Sequence, residues 1–355
     1  MKKYLGLLLA VMLLLGSLAG CAKAEFEVSP VTITPSQVVI DETFNASVDI
    51  TNVGGADGVY TATLTVDGTI TDTKEVPVSA GATEKISFPC CLEAAGVHII
   101  DIDGLTATVT ALTPAKFKIS SLVVSPDEAV AGSSIMVTVD LTNIGEAEGN
   151  HTVTLKLNGE EVESREVTVT GGETETVSFT VMKDTIGIYK IAVNTLTGYF
   201  RVSPAPPDGY VGYTDWENGF FLAYPEVWEQ EEQFGALVVF KGPMYKGSCP
   251  NFIVSKVPFY QLTTAEEFIR QTIELMGEVV EDFKLISTEE LTINGIPAAR
   301  GTFTWSLSGV DIKQQQVILI KENTCFVITI TWLLATYDQY ADTFDTIVNS
   351  FIFLP

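Results

Sequence analysis

The eleven residues Val48-Asp-Ile-Thr-Asn-Val-Gly-Gly-Ala-Asp-Gly58 return as Val139-Asp-Leu-Thr-Asn-Ile-Gly-Glu-Ala-Glu-Gly149, 91 positions later. The offset holds well outside these words: Phe26 matches Phe117, Pro35 matches Pro126, Gly68 matches Gly159, Phe88 matches Phe179 and Gly96 matches Gly187. No insertion breaks the register. A repeat of this size and continuity is one folded unit written twice, so each copy must bury its own core.

Alternation sets the class of that unit. Phe44, Ala46, Val48, Ile50 and Asn52 share one phase of an extended segment, and Ile135, Val137, Val139, Leu141 and Asn143 share the matching phase of the second copy. A period of two over such a length predicts a half-buried strand. A following strand, with Ala62, Leu64 and Val66 or Val153, Leu155 and Leu157 inward, runs into Asp67-Gly68 or Asn158-Gly159, dipeptides suited to tight hairpins. Short strands, turn residues and no helical stretch predict a β-sandwich of about 90 residues per copy. Asn52 and Asn143 fall at strand ends in the inward phase, where a side-chain amide can bond the backbone of the turn closed by Gly54 or Gly145. They are read as structural.

The run of alternating apolar residues into Thr-Asn-x-Gly, then a small residue and Gly, resembles the CARDB family, named for cell adhesion in bacteria. That resemblance covers residues 26–112 and 117–203 and implies immunoglobulin-like sandwiches without catalytic residues.

The chain begins with Lys2 and Lys3, an apolar run from Tyr4 to Leu15, and Leu18-Ala19-Gly20-Cys21. This run is shorter than the roughly 20 residues that span a bilayer, so residues 1–20 read as a cleaved signal peptide. Leu18 to Cys21 resembles the lipobox of prokaryotic lipoproteins, which implies lipidation of the Cys21 thiol and a membrane partner through the anchor. Buried acyl chains at about 0.8 kcal/mol per methylene would make that attachment lasting. The expected location is extracytoplasmic, on the cell membrane or cell surface.

Beyond the signal the chain is acidic in both parts, with 10 Lys plus Arg against 25 Asp plus Glu over 22–203, and 8 against 20 over 204–355. Such a balance argues against nucleic acid and against anionic lipid as charge-selected partners. Cys249 and Cys325 are the candidate disulfide, with free thiols as the alternative; Cys90 and Cys91 are adjacent and read as thiols.

Residues 203–209, Ser-Pro-Ala-Pro-Pro-Asp-Gly, form a stiff linker. All four tryptophans lie after it. A capping box at Thr264 and Glu267 opens a predicted helix with Phe268, Ile269, Ile273 and Met276 on one face, and a second helix is predicted over 337–350. Between them, strands are predicted over 285–296, 299–305, 315–320 and 326–332, with Asn294-Gly295 as a hairpin turn. The expected C-terminal domain, 210–355, is therefore α+β, an antiparallel sheet covered by helices. Tyr224-Pro225 followed by Trp228, with the closing Ser350-Phe351, resembles the PsbP-like family, whose members mostly bind or assist other proteins.

Chemistry finds few parts. The chain has two histidines, His98 and His151, at unmatched positions of different repeats, and the C-terminal domain has none. A Ser-His-Asp triad or multi-histidine metal centre lacks its residues. No cofactor and no enzymatic activity are expected. The reading that results is a lipid-anchored binding or adhesion protein, a tandem sandwich stalk presenting a C-terminal interaction domain to a protein or glycan. The runner-up is a solute or carbohydrate receptor whose ligand contacts Trp216, Tyr224 and Trp228. A third is a hydrolase using carboxylates among Glu226, Glu229, Glu231 and Glu232.

Overall fold

A computed structural model describes residues 22–258 and 264–355. The predicted signal segment and Cys21 lie outside the described residues. The protein is dominated by strands, with two α-helices and one 3-10 helix among the described residues.

In the first repeat, strand Thr43–Asn52 pairs with Phe26–Val28, Thr32–Thr34 and Thr83–Cys91. A second, five-stranded sheet runs in the order Gln37–Val39, Leu105–Leu112, Gly96–Ile102, Gly58–Val66, Thr69–Val78. Phe44, Ala46, Val48 and Ile50 from the first sheet meet Ala62, Leu64, Ile100 and Ile102 from the second in one core. The second repeat does the same, with Ile135, Val137, Val139 and Leu141 against Val153, Leu155, Ile191 and Val193. Every one of these side chains is at most 2 % exposed, as the alternation requires. Both predicted hairpins form, with Asp67-Gly68 and Asn158-Gly159 all at positive φ.

The repeat also conserves the treatment of an open sheet edge. Lys74 lies over the Phe88 ring at 5.0 Å and donates to the Ser87 carbonyl. Arg165, 91 residues on, lies over Phe179 at 5.2 Å. Each cation covers the edge strand of the opposite sheet, a placement that discourages pairing with another chain.

Beyond the linker, a seven-stranded antiparallel sheet runs in the order Glu229–Glu231, Val238–Lys241, Asn251–Pro258, Thr324–Leu333, Val310–Lys321, Ile296–Leu307, Lys284–Ile293. Strands Tyr210–Asp215, Phe220–Pro225 and Ile352–Phe353 form a small separate sheet. One face of the large sheet carries Phe240, Phe252, Ile328 and Ile330 against Phe344, Ile347 and Val348 of helix Ala341–Asn349. The other face meets helix Ala265–Val279 through Ala265 and Ile269, which touch Ala299, Ile318 and Val327. Thr264 caps that helix by accepting from the Glu267 amide at 3.1 Å, while the Glu267 carboxylate accepts from Arg270 and Gln271.

Two expectations change in detail. The helix predicted over 337–350 divides into a 3-10 turn, Leu334–Tyr340, and the helix Ala341–Asn349. The large sheet is also less covered than an α+β layer implies, because helix Ala265–Val279 packs chiefly on the strands Lys284–Ile293, Ile296–Leu307 and Val310–Lys321, with Cys325 and Val327 of Thr324–Leu333 at its margin.

Candidate functional site

The aromatic residues expected to bind a ligand do not come together. Trp228 is 5 % exposed and sits in the core, its ring 6.1 Å from Phe344 and 6.0 Å from Phe252. Tyr224 stacks on Phe240 with centroids 4.0 Å apart. Trp216 packs against the small buried cluster of Phe221, Ala223 and Leu354, under the guanidinium of Arg201 at 5.9 Å. Packing takes these side chains because they are the largest apolar volumes near the sheet; the sequence shows their number and leaves their direction open.

Cys249 and Cys325 are both free thiols. Cys325 pairs with Val257 and Ile320, whereas Asn251, two residues from Cys249, pairs with Thr331. Six residues of strand separate Cys325 from Thr331, about 20 Å at the usual rise. A disulfide needs Cα atoms within about 7 Å, so the candidate pair is corrected to two separate thiols. Burial pushes the Cys325 thiol up to about 12.

The uncovered end of the large sheet forms a groove of about 490 Å³. Lys241, Asn251 and Thr331 are partners in one row across three adjacent strands, and Leu333, two residues beyond Thr331 on the same face of its strand, continues the floor. Its walls are the Ser248-Cys249 segment and the hairpin tip Leu307 to Val310, where Ser308 and Gly309 take positive φ. Lys241 is the charged member of this lining, and a hydrogen bond to Glu231 raises its ammonium pKa. Hydroxyls, an amide and a thiol beside apolar walls suit a ligand that is partly polar and partly apolar. The alternation of the contributing strands carried no sign of the groove, since its shape depends on where a helix stops covering the sheet.

The acidic residues assigned to a possible hydrolase occupy the opposite situation, on the outermost strand Glu229–Glu231 and its flanks. Glu226, Glu229, Glu231 and Glu232 are all exposed, Glu231 pairs with Lys241, and none has a histidine beside it in the sequence. Asp101 and Asp103 in the first sandwich make a turn: Asp101 accepts from the Gly104 amide, and Asp103 accepts from the Thr63 amide and the Tyr60 hydroxyl. Burial, with Asp103 beside it, raises the Tyr60 pKa to about 12. No group of three or more potential metal ligands occurs among the described residues.

His98 is committed to the fold. Its Nδ1 lies 2.7 Å from Asp67 Oδ2 and its Nε2 lies 2.9 Å from the Ala94 carbonyl. Both neighbours are acceptors, so the imidazolium satisfies both, and the Asp67 hydrogen bond raises the His98 pKa. Tyr189 replaces it in the second repeat and donates to the Thr185 carbonyl, 91 residues from Ala94.

Comparison with known proteins follows the same division. The DcrB family model matches residues 222–350, and the CARDB family model matches residues 114–196. Among solved structures, cyanobacterial PsbP (CyanoP) from Synechocystis is 16% identical, with 42% of this chain and 98% of that one covered at a TM-score of 0.35. LpqN of Mycobacterium tuberculosis, described as involved in cell envelope biogenesis, is 15% identical over 42% of this chain and 87% of that one, at a TM-score of 0.30. The Saccharomyces cerevisiae Ran-binding protein Mog1p is 10% identical over 41% of this chain and 95% of that one, at 0.33. No curated protein matches the chain. The chain thus carries a CARDB match over its second sandwich and a DcrB match over most of its C-terminal domain.

Proposed function

We propose that this chain is an extracytoplasmic binding protein, attached through lipid on Cys21, in which two CARDB-type sandwiches of immunoglobulin-like kind space a C-terminal interaction domain from the membrane. The division of surface chemistry carries this reading. In both sandwiches the repeated asparagine is wholly engaged by its own unit, whereas the C-terminal domain keeps an open groove and an uncapped sheet edge. A protein partner at the cell surface fits a domain with such features better than a reaction does, because the Cys249 thiol and Ser248 hydroxyl in the groove have no histidine in this domain to activate them, and Lys241 is held by Glu231.

Crosslinking on intact cells, with mass spectrometry of the crosslinked peptides, tests it. Crosslinks to partner proteins should concentrate in residues 210–355, and Cys21→Ala should move the protein out of the membrane fraction. Crosslinks confined to the sandwiches, or unchanged fractionation of the variant, would refute the reading. The groove supports a second reading, a receptor for a small solute or carbohydrate. A thermal-shift screen should then find a stabilising ligand whose effect is lost in Asn251→Ala, and a screen without one would remove this alternative.

A further inference from the structure

Among the described residues, the C-terminal domain ends one side of its large sheet in an exposed edge strand. Glu229–Glu231 pairs only inward, with Val238–Lys241, and among the described residues no strand lies on its other side. A free edge offers backbone donors and acceptors for one more strand.

The segment that follows presents an aromatic ring to solvent. Phe234 is 105 % exposed, and the turn that holds it is closed by a hydrogen bond from the Ala236 amide to the Gln233 carbonyl, with Gly235 at a φ of 84°. Val227, on the other flank of the same strand, is 72 % exposed. The phenylalanines on the two strands next to this edge, Phe240 and Phe252, are fully buried. An uncovered aromatic beside a strand paired on one side only is the kind of anchor that aromatic residues supply at protein interfaces.

Charge then selects the partner. Glu226, Glu229, Glu231 and Glu232 surround the edge, and the nearby cation Lys241 is already paired with Glu231. An acidic strand would be repelled, and a basic one would be drawn in.

We propose that strand Glu229–Glu231 and Phe234 form the docking edge for a partner protein that supplies an extended basic segment, added to the sheet as a further strand with an apolar socket over Phe234. This deepens the reading of the C-terminal domain as an interaction domain and rests on it. The opposite edge, Lys284–Ile293, carries a bulge between Leu285 and Ser287, which disfavours strand addition there and makes it a suitable control.

The test uses the full chain and a labelled peptide of alternating lysine and valine, read by fluorescence anisotropy. Binding should weaken as salt rises, because the charges are exposed. Phe234→Ala should lower affinity by about tenfold, the scale of an interface anchor. Glu229→Lys with Glu232→Lys should abolish binding, while Glu290→Lys on the control edge should leave it unchanged. Equal binding of a glutamate–valine peptide, equal affinity of Phe234→Ala, or no binding to the wild type would overturn the proposal. Phe234 makes no packing contact to lose, so an unchanged thermal midpoint confirms that the variant is folded. Should cell crosslinks instead map to the groove, the interaction domain would stand and this edge would fall; should they map to the sandwiches, the broader reading would fall with it.

Discussion

Asn52 and Asn143, 91 residues apart, make the same four hydrogen bonds. The Asn52 amide oxygen accepts from the Glu25 and Gly54 amides, and its nitrogen donates to the Ala56 and Val78 carbonyls. The Asn143 oxygen accepts from the Lys116 and Gly145 amides, and its nitrogen donates to the Ala147 and Val169 carbonyls. Both side chains are 0 % exposed. Each ties the incoming chain, the turn and a strand of the opposite sheet to one buried point. The adjacent glycine is required for the same reason: a Cβ at Gly145 would lie 2.0 Å from the Pro114 carbonyl oxygen, and one at Gly54 would lie 2.2 Å from that of Lys23.

Replacing either asparagine with alanine strands two amides and two carbonyls. We expect a loss of about 2–4 kcal/mol from the affected sandwich, several ordinary hydrogen bonds plus part of the desolvation cost. Asn→Asp should not rescue it, because a carboxylate cannot donate to the two carbonyls. Chemical denaturation followed by fluorescence and circular dichroism would measure both, and a change under about 0.5 kcal/mol would contradict the assignment.

The junction between the sandwiches has its own clamp. Thr113 donates its amide and its hydroxyl to the Glu146 carboxylate, at 2.9 and 3.1 Å. Glu146→Ala should therefore loosen the junction without unfolding either unit. Small-angle scattering should show a broader distribution of maximum dimension, with the thermal midpoint little changed; an identical scattering curve would place the stiffness elsewhere.

The two repeats should differ in their response to pH. A raised His98 pKa means that its contribution is complete below the ordinary value near 6.5 and fades as pH rises through the folded value. Asp67 is lowered, first by the Ile99 amide and then by His98, so its contribution is complete above the ordinary value near 4 and is lost as pH falls through the folded one. The pair thus favours the first sandwich most between about pH 4 and 6.5. Installing the second repeat's residues, Asp67→Asn with His98→Tyr, should flatten the pH dependence of that sandwich's melting transition. Retention of the full dependence in the double variant would show that other groups cause it.

Thiol chemistry should separate the cysteines. Cys91 is exposed and Cys249 partly so, whereas Cys90 and Cys325 are buried and burial raises both of their pKa values. Native protein treated with a maleimide should label Cys91 and Cys249 first, with Cys325 labelled only after denaturation. Peptide mapping that found Cys249 joined to Cys325 would contradict the strand register.

Trp228 provides a final discrimination between packing and recognition. Trp228→Ala should cost about 3–5 kcal/mol, as expected for emptying a core site, and Phe234→Ala should cost almost nothing. A stable Trp228→Ala protein with an intact melting transition would return Trp228 to the candidate ligand residues.

The sequence alone determined a good deal of this architecture, because the governing interactions are local or repeated. Period-two alternation fixed which side chains of Thr43–Asn52 and Ser134–Asn143 point inward, and Asp67-Gly68 and Asn158-Gly159 fixed the hairpins that follow, Gly58–Val66 with Thr69–Val78 and Gly149–Leu157 with Glu160–Val169. The 91-residue register fixed that both asparagines serve one structural purpose. Tertiary structure alone decided the rest. The direction of Trp228, the separation of Cys249 from Cys325, the groove at the uncovered sheet end and the exposure of Phe234 all depend on strand order and on where a helix stops. Strands distant in sequence set these features, and residue type and spacing along one segment carry no record of which strand becomes the neighbour or which becomes the edge.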